Sequence, residues 1–348
     1  MELSASTNFS IRHLNPIDQF MKKSLSLFIA TALLLGGVSQ GFSQEKKKPQ
    51  TWEEKAAARL KPVDEASKKK ILAALSDKPL RKPGKDRKVL VFWRCGGFIH
   101  TSIPNGNFCL EQMGIKSGAF TADISDKYGV FTKENLKQYD AIIFNNTTHL
   151  VLETEAQQDA IVDFLKQGKG VVGIHAAGDN FYKWAVGAAM IGGQFNGHPW
   201  SAGGKWAFKL DDPDHILNQA FLGKGFWHKD EIYQYKPSTY EGEENLRILV
   251  SLDMSKKEVS GILDNPKFEK YAKQYGKGPR QVPVSWLREF KGGRVFFSNL
   301  GHREDTFWQP TVLQHFLDGI QYALGDLDAD ATPTAKTAKK KPVLAPAK

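Results

Sequence analysis

The residues of this sequence best suited to chemistry are histidines that follow short apolar runs. The run Lys88 to Trp93 leads through Arg94, Cys95, Gly96, Gly97, Phe98 and Ile99 into His100. Asp140 to Phe144 leads into Asn145, Asn146 and Thr147. Gly170 to Ile174 leads straight into His175, and Val295 to Ser298 into Asn299, Leu300, Gly301 and His302. A fourth histidine, His198, ends the stretch Gly192-Gly193-Gln194-Phe195-Asn196-Gly197, and Glu231 offers a carboxylate nearby in sequence. Imidazole titrates close to neutrality, so it suits proton transfer, and its neutral form is a common metal ligand. His100, His175, His198 and Glu231 are therefore a candidate ligand set for a divalent metal. Neither an HxH nor an HExxH spacing groups them. In the plainer reading each histidine is only a satisfied core or surface group. His215 and His315, away from strand ends, are read that way.

These positions matter only if the runs are strands. Each is continuous rather than alternating in polarity, as expected of parallel strands buried on both faces. Between the second and third run, Ala156, Ala160, Ile161, Phe164 and Leu165 recur at helical spacing; Thr154 is the expected N-cap and Gly168 the residue beyond the C-terminus. Strand, helix, strand in this order implies a right-handed crossover in a parallel sheet. Ligands of open parallel sheets bind beyond the carboxyl ends of the strands, where the histidines fall. Further strands are expected at 206–210, 232–235, 246–252, 282–290 and 295–298, the last two joined by a turn at Lys291-Gly292-Gly293, with a closing helix over 311–324. The fold class is thus α/β: an open, mostly parallel sheet flanked by helices, with added antiparallel strands in the second half.

The ends of the chain read differently. Lys22 and Lys23, the apolar run Leu25 to Val38 and the small polar stretch to Gln44 have the order of a secretory signal, assigned to residues 21–43. That implies a periplasmic or secreted protein with no stable membrane insertion. Residues 44–87 form a helical segment and linker, with Thr51 as an N-cap, Glu53 and Glu54 in the first turn and a break at Pro62. Residues 88–326 form the domain, and 327–348 a basic, low-complexity tail expected to be disordered. The net charge of +10 is carried by 21–88 (+10) and 327–348 (+3); residues 1–20 carry −1, which leaves −2 over 89–326. A nucleic-acid binder places its positive charge on the folded surface, so nucleic acid is not an expected partner. Two cysteines, Cys95 and Cys109, allow a disulfide in an oxidising compartment without requiring one. Trp200 and Trp308, close after His198 and His302, are the aromatic residues best placed to wall a sugar pocket.

The strand ends also carry a family resemblance. The loop ending in His100-Thr101-Ser102, Gly173-Ile174-His175-Ala176-Ala177, Gly192 to Pro199, Asp230-Glu231-Ile232-Tyr233, Pro283 to Trp286, Gly293 to Phe296 and Leu300-Gly301-His302 are similar in order and spacing to the motifs of the trehalose-utilisation (ThuA-like) family. The loop before His100 is longer than is usual there. The resemblance implies a fold like that of class I glutamine amidotransferases, which are flavodoxin-like and carry a nucleophile on a sharp turn after a strand. Here that turn presents His175, and neither Ser nor Cys, so covalent amidotransferase chemistry lacks its first step. The implied function is work on a sugar or 3-keto-sugar by proton transfer beside a carbonyl. For such a step, of isomerase, epimerase or lyase type and with or without a metal, His175 and His302 are the candidate acid–base pair, Glu231 their partner or a second base, and His100, Asn145 and Arg294 substrate-binding groups. A metal-dependent hydrolase and a non-catalytic carbohydrate-binding protein are the alternatives. The expected partner is a small-molecule carbohydrate.

Overall fold

The computed structural model describes residues 50–274 and 281–348, so the leader-like segment 21–43 lies outside the described residues. The apolar runs form the strands their composition implies. Lys88–Phe92 (β1), Thr121–Ser125 (β2), Ala141–Asn145 (β3), Gly170–Ile174 (β4) and Gly293–Ser298 (β11) are mutually parallel in the order β2-β1-β3-β4-β11. Pro283–Phe290 (β10), Arg247–Leu252 (β9), Lys205–Leu210 (β6) and Phe226–Lys229 (β7) extend the sheet as antiparallel strands. Phe195–Trp200 (β5) and Ile232–Tyr235 (β8) pair separately. The parallel part has the flavodoxin-like order, in which a ligand crevice opens where the strand order reverses, beyond the carboxyl ends of β1 and β3.

Alternate residues of the inner parallel strands enter different apolar layers, which is why the runs show no polar alternation; the edge strand β2 is exposed or half-buried throughout. Val89, Val91, Ile143, Val172 and Phe296 pack with the helices Ile103–Ser117 and Pro310–Leu324. Leu90, Phe92, Ile142, Phe144, Val171 and Phe297 pack on the other face with the helix Glu155–Lys166. That helix begins with the expected Thr154 cap, closed into a capping box by Gln157. The β10–β11 turn uses Lys291 (φ 50°) and Gly292 (φ 85°), the left-handed pair that a two-residue hairpin of this twist demands.

Several features depart from the sequence reading. The strands β2, β5 and β7 were not expected, since polar residues interrupt each of these short segments. The helix Ile103–Ser117 was not expected, because Pro104, Gly106 and Gly114 interrupt its periodicity. Pro104 sits in the first turn, where a missing N–H costs nothing. Gly106 is required by a close approach: a Cβ there would lie 2.6 Å from the Asn145 amide. The basic tail, expected to be disordered, is instead laid on the domain. Val343 bridges Leu210, Ala345 is buried, Trp227 Nε1 donates to the Pro346 carbonyl, and Lys340 pairs with Asp212 at 2.6 Å. Composition understated this tail because two apolar residues and one ion pair suffice to dock an extended segment on a sheet edge. The segment 51–76 is helical as expected (Trp52–Arg59 and Glu65–Ala74), and Ile71 and Leu75 join the core.

Candidate functional site

Three of the histidines converge. His100 leaves β1, His175 leaves β4 and His302 leaves β11; their ring centroids are 5.0–5.2 Å apart and the rings stand at 85–88° to one another. Glu231, between β7 and β8, completes the group, and one donor atom from each of the four lies within 4.8 Å of all the others. Glu231 Oε1 is 3.9 Å from His175 Nε2, and its Oε2 is 3.7 Å from His302 Nε2 and 3.2 Å from His198 Nδ1. His198, on β5, is half-exposed and stands outside the group of four. His302 thus occupies the place that the sequence reading gave to His198.

The surroundings fix the chemical state of these side chains. His175 sits at φ 46° on the turn after β4, a left-handed conformation that a non-glycine residue adopts only under constraint. Its Nδ1–H donates to the Asn299 carbonyl at 2.7 Å, which leaves Nε2 as the lone-pair nitrogen, buried and without a hydrogen-bond partner. Nδ1 of His100 and of His302 are likewise buried and unpartnered. Burial, and then repulsion among the imidazoles, lowers His100 to about 3, His302 to about 4 and His175 well below the ordinary value. All three are therefore neutral at pH 7. Burial, with a contribution from Asp230, pushes Glu231 up to about 8. Among the described residues its ionic contacts are histidines alone. Three neutral nitrogens and one carboxyl, buried with no compensating cation, fit a divalent ion that prefers imidazole and oxygen donors. His100, His175, His302 and Glu231 are the residues that could hold it.

A further residue supports the group. Asp230 is fully buried; its Oδ1 accepts the N–H groups of Glu231 (3.0 Å) and Arg303 (3.2 Å), and its Oδ2 accepts Gly301 N–H (2.7 Å) and the Thr306 hydroxyl (3.0 Å). One carboxylate thus ties the His302 loop to the Glu231 turn. Gly301 reaches this arrangement at φ 126°, open only to glycine, and its carbonyl accepts from Ser102 Oγ and Asn146 Nδ2. His100, Glu231 and His302 line a cavity of about 390 Å³ whose wall also includes Phe98, Phe195, Tyr233, His149 and Asp179; His175, wholly buried, is not part of its lining. That volume is within the range, roughly 300–1,000 Å³, of small-molecule sites.

Other expected site residues fall elsewhere. Asn145 is buried beneath the site, where its amide donates to the Ile103 carbonyl and Asn107 Oδ1; it braces a helix and does not face the cavity. Arg294 begins β11 at the opposite, amino edge of the sheet and donates to the Gly168 carbonyl. Trp200 is wholly buried and donates to the Val259 carbonyl, so it belongs to the core. Trp308 walls a neighbouring hollow of about 350 Å³ that shares only His302 with the main cavity. Cys95 and Cys109 are both buried free thiols, and burial pushes Cys95 up to about 11, so neither is a ready nucleophile. His215 and His315 hydrogen-bond within the structure, to Asp330 and Leu217 and to Ser285 and Leu217, as expected of core histidines. His149 and Asp230 had escaped notice. The same signal, a polar residue just past a strand, extends to His149 if the exit from β3 is followed four residues further.

The fold and site define an α/β protein of flavodoxin-like strand order with a histidine-lined cavity at its carboxyl edge. The chain belongs to the ThuA family, described as trehalose utilisation, whose model matches residues 88–323 and places it with carbohydrate metabolism. It is similar in fold to a ThuA-like protein from Bacteroides uniformis (21% identity, TM-score 0.52), covering 73% of this chain and 98% of that one. A ThuA-like protein from Parabacteroides merdae is comparable (19% identity, TM-score 0.51, 74% and 98%). No curated protein matches the chain significantly. No helix among the described residues is long and apolar enough to cross a membrane.

Proposed function

We propose that the cavity binds a carbohydrate bearing a carbonyl group, such as a 3-keto-sugar, and catalyses proton transfer beside that carbonyl with the help of a divalent cation. The observation that carries this reading is the set of three mutually perpendicular neutral imidazoles and one carboxyl converging on one point. His100, His175, His302 and Glu231 would hold the cation, which when bound supplies charge to stabilise an oxygen that becomes negative. The chain's own residues do the rest. Asn299 holds His175 in one tautomer, Asp230 fixes the turn of Glu231 and the loop of His302, and the aromatic wall offers ring faces to a sugar while limiting water. In this reading His175 and His302 are ligands and not an acid–base pair: burial leaves neither charged enough to serve as the acid, and the bound cation would occupy the lone pair that a base needs. An exported location, from the leader-like segment 21–43, belongs to the same proposal.

The test uses the full chain, stripped of metal and reloaded with Co(II) or Zn(II), incubated with methyl 3-keto-β-glucoside in deuterated buffer and followed by NMR. One bound ion per chain, lost in His175→Ala, with metal-dependent deuterium uptake beside the carbonyl, is the expected result. Release of free sugar would indicate hydrolysis instead. Saturable sugar binding without uptake or cleavage would mean a binding protein, and failure to bind any of Zn(II), Co(II), Ni(II) or Mn(II) would remove the cation from the reading.

A further inference from the structure

The cavity wall also carries a second set of side chains that the reading above does not use. His149 lies beyond β3 and Asp179 beyond β4, and both line the cavity together with His100, Glu231 and His302. The two segments are stitched together by a parallel bridge between Thr148 and Asp179, and His149 N–H donates to the Asp179 carbonyl at 2.6 Å. This holds His149 at φ 45°, again a left-handed conformation at a non-glycine residue. Its Nε2 is 3.5 Å from Asp179 Oδ2, with the imidazole 57% exposed and the carboxylate 10%. The Tyr182 hydroxyl donates to the other oxygen, Asp179 Oδ1, and the Tyr182 ring packs edgewise on the His149 ring, centroids 5.1 Å apart.

The loop leading to His100 is shaped around this pair. A Cβ on Gly96 would lie 2.3 Å from the His149 carbonyl oxygen, and one on Gly97 3.0 Å from its ring. The long glycine-containing link before His100 is therefore the clearance that admits His149 to the cavity wall. Left-handed non-glycine residues store strain and gather at functional sites. Of the six such residues described, Asn146, His149, His175 and Phe181 lie at the exits of β3 and β4.

We propose that His149 is the catalytic residue that moves the substrate proton, with Asp179 and Tyr182 as its positioning residues. The proposal rests on the keto-sugar reading of the cavity. His149 Nε2 lies 3.5 Å from Asp179 Oδ2, so a ring that carries its proton on Nε2 presents its lone pair on Nδ1. The C–H bond beside the carbonyl breaks and its proton goes to Nδ1. The C–H electron pair becomes the C=C bond of an enolate, and the carbonyl π pair moves to oxygen. The adjacent Asp179 side chain, 3.5 Å from Nε2, would stabilise the imidazolium that forms. Return of the proton from Nδ1–H to carbon restores the ketone. An imidazole more than half exposed trades that proton with solvent, so in deuterated water the label enters the sugar.

The experiment compares Co(II)-loaded wild type with His149→Ala, Asp179→Asn and Tyr182→Phe, using deuterium uptake into methyl 3-keto-β-glucoside, its half-saturation concentration and the bound cobalt. His149→Ala is expected to slow uptake on the order of 10²-fold, the usual contribution of general acid–base catalysis. Bound cobalt and half-saturation should hold, and free imidazole should restore part of the rate. Asp179→Asn and Tyr182→Phe should lose rate without gaining imidazole rescue. Uptake by His149→Ala within about twofold of wild type would overturn the role of His149 and leave the cation site standing. So would a loss that imidazole does not rescue, since that marks a structural staple. No uptake by wild-type protein would overturn both the reaction and the role.

Discussion

Replacing Asp230 by Asn tests whether one buried carboxylate organises the site. Each carboxylate oxygen accepts two hydrogen bonds, three of the four donors being backbone N–H groups of Glu231, Gly301 and Arg303. An amide keeps one accepting oxygen and turns a donor toward the other pair. The better orientation puts its NH₂ toward Gly301 and Thr306, because the Thr306 hydroxyl can rotate to accept while His228 Nε2, 3.0 Å away, loses that partner. Gly301 N–H is then buried without an acceptor, at a cost of about 1–3 kcal/mol, and the two surviving bonds lose their charge assistance, about 1 kcal/mol each. Against this, burial of the charge, which pushes the Asp230 carboxyl up to about 7, is relieved. The balance is a destabilisation of about 2 kcal/mol, or a fall in Tm of roughly 3 °C for a unit of this size. Because Gly301 and Glu231 carry the His302 and Glu231 side chains into the site, cobalt affinity should fall about 10–100-fold as well. Thermal denaturation with and without Co(II), together with a cobalt titration, measures both. A Tm within about 1 °C of wild type and an unchanged affinity would refute the claim that Asp230 holds the two turns.

Two further outcomes follow from the charges and thiols. Burial alone would raise the Asp212 carboxyl, but Lys340 and Arg247 hold it below its ordinary 3.8. A lowered carboxylate stabilises the docked tail above its unfolded pKa, and that contribution disappears as pH falls through the folded value. The Val343 amide, which donates to Leu210, should therefore be protected from hydrogen exchange at pH 7 and lose protection below about pH 3.8 once intrinsic rates are corrected; constant protection would mean that the apolar contacts alone hold the tail. Cys95 and Cys109 should resist a thiol reagent at pH 8 in the folded protein and react together in denaturant, since burial keeps both as thiols; rapid labelling of one cysteine in the native state would contradict the buried environment.

The residues alone revealed the apolar strands β1, β3, β4 and β11 and their exits, though not β2, β5 or β7. An apolar run without alternation has to be buried on both faces, and a Thr154 cap with Gly168 beyond brackets a helix, because both are local consequences of side-chain polarity and backbone geometry. That sufficed to place His100, His175 and His302 at carboxyl ends and to set His215 and His315 aside. The tertiary structure decided which exits meet. Strand order put β11 beside β4, which brought His302 into the ligand group and left His198 at its edge. Arg294 and His302 are eight residues apart, yet a strand running the thickness of the sheet separates them, so one faces the cavity and the other the opposite edge. Asn145 and His149 leave the same strand and serve opposite purposes, one bracing a helix below and one facing the cavity. Convergence of this kind depends on pairing between segments distant in the chain, and on side chains that alternate between faces, and neither is encoded in the run of residues around any single histidine.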